Sequence, residues 1–162
     1  MGEKYKIPKK YQKDTKNVLV AAAGVGPLGA LTSVGDIAAI AAIWGGFLYS
    51  FAKKEGVEID KDSAVKVCKS ALLGMGGYYA GCKLATRIFN FIPGAGTLMG
   101  MGVSSVANIL FTYRYVLTLC NIFGNRGPNF DIANLADNLI SMFNGNGLRS
   151  DAMDIIHILA NW

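Results

Sequence analysis

Among the residues able to do chemistry, the most suggestive arrangement is GVGPLG at residues 24–29, which fits G-x-G-x-x-G and follows the strand-like run NVLVAAA. Glycines at that spacing let backbone amides approach a pyrophosphate at a helix N-terminus. Here Pro27 stands where the phosphate-binding helix should open, an apolar hairpin follows, and no acid ends a second strand at the required distance. A dinucleotide site is therefore rejected. GAGTLMG at 94–100 has the wrong spacing, and no G-x-x-x-x-G-K-[ST] phosphate loop occurs.

The single histidine, His157, lies near Asp154 at helical spacing, with no nucleophile or metal ligand assignable beside it, so it reads as a surface or capping residue. Asp60 and Asp62 have calcium-loop spacing but lack the later ligands and the obligatory glycine. Like Asp151 and Asp154, they suit helix starts, where the macrodipole favours acids. Cys68, Cys82 and Cys120 are odd in number, far apart and set in apolar runs, which fits buried thiols in a reducing compartment rather than disulfides or zinc. No catalytic, cofactor or metal site is expected, and the chain reads as a non-enzyme.

The charged residues point elsewhere. Hydrophobic residues make up 52% of the 162 and charged ones 17%, against roughly 25% charged in ordinary globular chains. Much of the net charge of +5 comes from the first 16 residues, where Lys4, Lys6, Lys9, Lys10, Lys13 and Lys16 face only Glu3 and Asp14. Such a stretch beside apolar sequence suits anionic lipid headgroups, each lysine contributing on the order of 1 kcal/mol. Nucleic acid is the competing partner for a basic tail, but no basic helix face or stacking platform follows, so it is set aside. A myristoylation signal is rejected because Lys6 stands where Ser or Thr is needed. A secretory signal is disfavoured because the apolar sequence runs on to residue 52.

The elements that would position these groups read as helices throughout. Residues 17–35 are free of charge and nominally long enough to cross a bilayer, but GVGPLG invites a break. Residues 37–52 are also charge-free but short for a span, and Lys53-Lys54-Glu55-Gly56 ends them with cations and a glycine. Asp60, Asp62 or Ser63 can cap an amphipathic helix over about 63–90, in which Val65, Cys68, Ala71, Leu72, Met75 and Tyr79 recur at helical spacing. Residues 88–113 carry no charge, and a long helix runs from Thr97 to about Cys120, interrupted by Arg114. A charge at that depth must snorkel or pair, and Asp36, the other charge inside a long apolar run, is the expected partner. A loop follows, then a helical segment, an NGNG turn, and a final helix capped by Ser150.

Small residues recur at four-residue spacing: Gly77, Gly81 and Ala85; Gly96, Gly100 and Ser104, continued by Asn108; and Ala38, Ala42 and Gly46. Such faces let helix backbones approach closely, either within the protein's own hairpins or between copies. Three parts follow: a basic tail (1–16), a hydrophobic helical domain (17–123) and a C-terminal amphipathic hairpin (124–162). The fold class expected is all-α, a bundle of Gly-rich apolar hairpins plus that C-terminal hairpin.

The stretch 27–120 resembles the YcjF-like, GTPase-associated helical family. The residues carrying the resemblance are SVGDIAAIAAIWGGFLYSFAKKEGVEIDKDSAVKVCKSALLG and FIPGAGTLMGMGVSSVANILFTYRYVLTLC. The shared order is an Asp opening an apolar helix, a Gly-Val connection before an acidic helix start, then Ile-Pro-Gly-x-Gly leading into a small-residue helix that ends Thr-Tyr. It implies a membrane-associated helical bundle regulated by a separate GTPase, and no catalytic residues. The chain differs by its basic head and extra C-terminal hairpin, and holds no GTPase domain in these 162 residues. Three functional expectations result: a membrane-associated protein that inserts and self-associates as a homo-oligomer, with its basic tail on the cytoplasmic side; a soluble helical adaptor binding a partner such as a GTPase; and a small subunit of a larger membrane assembly.

Overall fold

A computed structural model describes residues 7–29, 33–74, 103–126 and 148–161. They form five helices and no strand: α1 (Lys9–Gly29), α2 (Ser33–Lys54), α3 (Lys61–Gly74), α4 (Val103–Arg126) and α5 (Leu148–Asn161). The all-α expectation holds.

Helix α1 begins well inside the stretch read as a basic tail. Ile7, Tyr11, Thr15, Val18, Leu19 and Ala22 are all buried, spaced so that they fall on one helical face. The lysines between them occupy the opposite side, so the tail's second half is the first element of the core. The helix also passes through GVGPLG to Gly29 instead of breaking at it. Pro27 falls in the last turn, where its missing N–H costs the helix one hydrogen bond just before the helix ends.

The end of α2 shows how local sequence fixes a boundary. Gly56 takes φ +73°, a left-handed conformation that favours glycine. Its N–H donates to the Lys53 carbonyl at 3.3 Å, and the Val57 N–H donates to the Ala52 carbonyl at 2.9 Å, the paired bonds of a Schellman motif. Four residues after Gly56, the Asp60 carboxylate accepts from the Ser63 N–H at 2.8 Å and caps α3. The chain thus reverses within a few residues, and α3 returns against α2.

That return brings the backbones very close. A Cβ on Gly45 would lie 2.7 Å from the Val65 Cα, so glycine is what permits the α2–α3 contact. The neighbouring stripe expected to pack, Ala38, Ala42 and Gly46, turns the other way: Ala38 and Ala42 are exposed, and a Cβ on Gly46 meets nothing within 4 Å. One residue of register, about 100° of helix rotation, separates the packed glycine from the open one.

Helix α4 lies against α1, touches α2, and carries α5. Every residue from 108 to 119 is buried. A helix enclosed all round is the centre of a bundle, with α1, α2 and α5 about it among the described elements. No helix among the described residues is long and apolar enough to cross a membrane.

Replacing Gly45 by Ala should destabilise the fold by about 1–3 kcal/mol through overpacking, whereas Gly46→Ala should stabilise it by about 0.5–1 kcal/mol through helix propensity. Urea denaturation midpoints measure both. Equal shifts in the two variants would refute the close approach at Gly45.

Candidate functional site

Most of the buried polar side chains of α4 find partners on other helices, while Thr118 Oγ1 donates to the Arg114 carbonyl of its own helix at 2.8 Å. Trp44 of α2 stacks on Tyr115 with ring centroids 4.3 Å apart and planes 4° from parallel. The Trp44 indole N–H donates to Thr112 Oγ1 at 2.8 Å, and the Tyr115 hydroxyl donates to the Trp44 carbonyl at 2.7 Å. Cys68 Sγ of α3 lies 3.5 Å from the same hydroxyl. Burial pushes the Cys68 thiol up to about 12, outweighing the lowering effect of the Tyr115 bond. Burial likewise raises the Tyr115 phenol, with Cys68 adding to it. Cys120 also reaches about 12, chiefly through burial, with Glu55 raising and Lys10 lowering it. A thiol held neutral is a weak nucleophile, since the thiolate is the attacking form.

On the next face of α4, Arg114 Nε donates to the buried Asp151 carboxylate of α5. One residue earlier, the Tyr113 hydroxyl donates to Asp154 Oδ2 at 2.9 Å; burial and that carboxylate hold the phenol well above its ordinary range. Ile155 and Ile158 add apolar contact from the same helix. The C-terminal helix is therefore attached to the bundle centre by two acids a turn apart. Asp151 was expected to serve its own helix start, and its burial against Arg114 is a tertiary fact. Asp36 opens α2, but its side chain lies outside the described residues, as does any pairing it makes. Helix α5 begins at Leu148, so Ser150 is within its first turn rather than before it.

The α1–α2 hairpin presents the most distinctive surface. Lys54 pairs with Asp14, and Lys10 Nζ meets Glu55 Oε1 at 2.7 Å, which places the start of α1 beside the end of α2. Lys9, Lys13 and Lys53 are exposed at this end. Toward the other end the exposed residues are Val20, at 54% of full exposure, Ala21, Gly24, Ala38 and Ala42. Between the two helices lies a groove of about 370 Å³ lined by Val18, Ala21, Ala42, Ile43, Phe47 and Phe51, with Gly46 at its wall and Asp14, Asn17 and Ser50 at the lysine end.

Of the residues singled out from the sequence, Lys9, Lys10, Lys13 and Lys16 fall on α1, while Lys4 and Lys6 lie outside the described residues. Gly77, Gly81, Gly96 and Gly100 are also outside them; Ser104 is in α4, without a described side chain. Asn108, read as continuing the last of those stripes, is buried and its amide donates to the Ala22 carbonyl at 3.4 Å, joining α4 to α1. No group of His, Cys, Asp and Glu side chains among the described residues could hold a metal ion. No protein-family model, curated protein or solved structure matches the chain.

Asp151→Asn strips the buried guanidinium of the acid that faces it and should cost about 3–5 kcal/mol. Joint replacement by Arg114→Met and Asp151→Leu should recover most of that loss in denaturation curves; no recovery would refute the assignment. A second expectation concerns pH. The folded state holds the Cys68 proton from its ordinary 9.0 up to about 12, while the unfolded chain releases it. The resulting stabilisation is complete below pH 9 and lost progressively toward pH 12. Cys68→Ala should reduce this alkaline slope in melting temperature, and an unchanged slope would contradict it.

Proposed function

We propose that this chain is a non-enzymatic membrane-surface protein whose α1–α2 hairpin lies in the interface of an anionic bilayer. The observation that carries the reading is the segregation of charge along one exposed face: Lys9, Lys13 and Lys53 at one end, Val20, Ala21, Gly24, Ala38 and Ala42 at the other. A helix pair of this kind is suited to lie with its apolar part about 5–10 Å into the headgroup boundary and its lysines among anionic heads. Lys4 and Lys6 extend the cationic end in sequence. Insertion takes the form of lying on the membrane, which fits the lack of a spanning helix among the described residues.

Association of copies through the small faces at Gly77 and Gly81, or at Gly96, Gly100 and Ser104, would multiply such attachment by making it multivalent. A helical adaptor for a protein partner such as a GTPase is the second reading, favoured by the same open groove. The two differ in what vesicles do to the chain.

Co-sedimentation with phosphatidylserine-containing and pure phosphatidylcholine vesicles tests the proposal. Binding should require the anionic lipid and weaken as salt is raised, because the Debye length shrinks from roughly 10 Å at 0.1 M to 3 Å at 1 M. Replacing Lys4, Lys6, Lys9 and Lys13 by Gln should lower affinity at least tenfold, at about 1 kcal/mol per lysine. A folded chain that ignores anionic vesicles would overturn the membrane reading and leave the adaptor in its place.

A further inference from the structure

One lining residue of the groove between α1 and α2 is out of keeping with a surface that docks on anionic lipid. The wall is apolar along Val18, Ala21, Ile43 and Phe47, and the hydrogen-bonding side chains of Asn17 and Ser50 are neutral. Asp14 is the only charged side chain among the described residues that line it. Its charged neighbours on these two helices are lysines, Lys10 and Lys13 on α1 and Lys53 and Lys54 at the end of α2, together with Glu55. The Asp14 carboxylate, 39% exposed, pairs with Lys54.

A carboxylate in this place opposes docking. Negative headgroups repel it, and Val18 and Phe51, which share its groove wall, carry it toward the headgroup boundary as they enter, where water that solvates the charge is lost. Protonation removes both costs and leaves a neutral acid able to donate a hydrogen bond to a headgroup oxygen. The bilayer also supplies the proton: a surface at about −30 mV raises the proton concentration beside it roughly threefold.

We propose that Asp14 takes up a proton when the α1–α2 face docks on an anionic bilayer, so that attachment strengthens as pH falls. This rests on the membrane reading above and makes Asp14 the residue that regulates it. The carboxylate exchanges the Lys54 ammonium for a solvent proton, and the ammonium exchanges the carboxylate for a headgroup anion, so charge is conserved. Because binding takes up a proton, affinity rises with falling pH. Glu55 does not line the groove and is engaged by Lys10 at 2.7 Å. From α4, the Lys10–Glu55 pair acts on Cys120, whose thiol burial pushes up to about 12. No residue of α3 lines the groove.

The test is co-sedimentation of the full chain with phosphatidylserine-containing vesicles at fixed salt, between about pH 7 and pH 5, where carboxylates begin to take up protons. The affinity of the native chain should rise about fivefold, the effect of one charge at the surface. Asp14→Asn, an amide of the same shape, should bind about fivefold more tightly than the native chain at the upper pH and gain less in acid. His157 and the lipid headgroups titrate alike for both chains, so the difference between the two profiles isolates Asp14. Glu58→Gln, the same change of charge on the turn after α2, should keep the acid rise. Lys54→Gln, which removes the cation paired with Asp14, should bind more weakly than the native chain at the upper pH and show a larger acid rise. A role confined to holding α1 on α2 would lower the melting temperature and leave the pH profile of binding unchanged. An acid rise as large in Asp14→Asn as in the native chain would overturn the proposal and leave the membrane reading standing. Failure of the native chain to sediment with anionic vesicles at either pH would overturn both.

Discussion

Burial of α4 on every side from residue 108 to 119 is the constraint on which the other contacts depend. Its buried stretch is not simply apolar: Asn108, Thr112, Tyr113, Arg114, Tyr115 and Thr118 all lie within it. A buried polar group without a partner costs roughly 1–3 kcal/mol, so surrounding helices must be placed where they can supply partners. Trp44 meets that demand twice, donating to Thr112 and accepting from Tyr115. Because both bonds and the ring stack converge on one residue, α2 has little freedom to slide or rotate against α4. The Gly45–Val65 approach then fixes α3 on α2, and the Arg114–Asp151 pair fixes α5 on the remaining side.

Orienting α2 in this way decides which of its faces is left over. With Trp44, Leu48 and Ala52 turned inward and Gly45 against α3, the side bearing Ala42, Gly46 and Ser50 is turned away from both. On α1, the face carrying Leu19 and Ala22 is committed to the core, leaving Asn17, Val20 and Ala21 outward. The groove and the charge-segregated surface are therefore by-products of core packing at Trp44. Glycine has opposite consequences at adjacent positions: at 45 it admits a backbone, and at 46 it leaves a space.

Much was legible locally. Helical class followed from apolar spacing and the lack of alternating strands. The stop at Lys53–Gly56 and the cap at Asp60 were readable because each depends on side chains within a few residues of the backbone groups they satisfy. The burial of the Cys68 thiol followed from its apolar neighbours. The lysine-rich start carries two signals at once, a high charge density and the buried series Ile7, Tyr11 and Thr15 in the same stretch. That face was visible in the spacing, and it outweighs the lysines because their long stems reach solvent from the other side.

By itself the sequence determined element type, several helix ends and the gathering of charge at the start of α1 and the end of α2, since these are set by interactions within a turn or two. Only the tertiary structure decided that Arg114 meets Asp151, 37 residues away, that Trp44 binds α4 across 68 residues, and that the small face of Ala42 and Gly46 opens outward. The physical reason is that pairing and exposure depend on how helices are rotated about their axes. A single residue of register moves a side chain by about 100°, and that rotation is fixed by the summed packing of residues far apart in the chain.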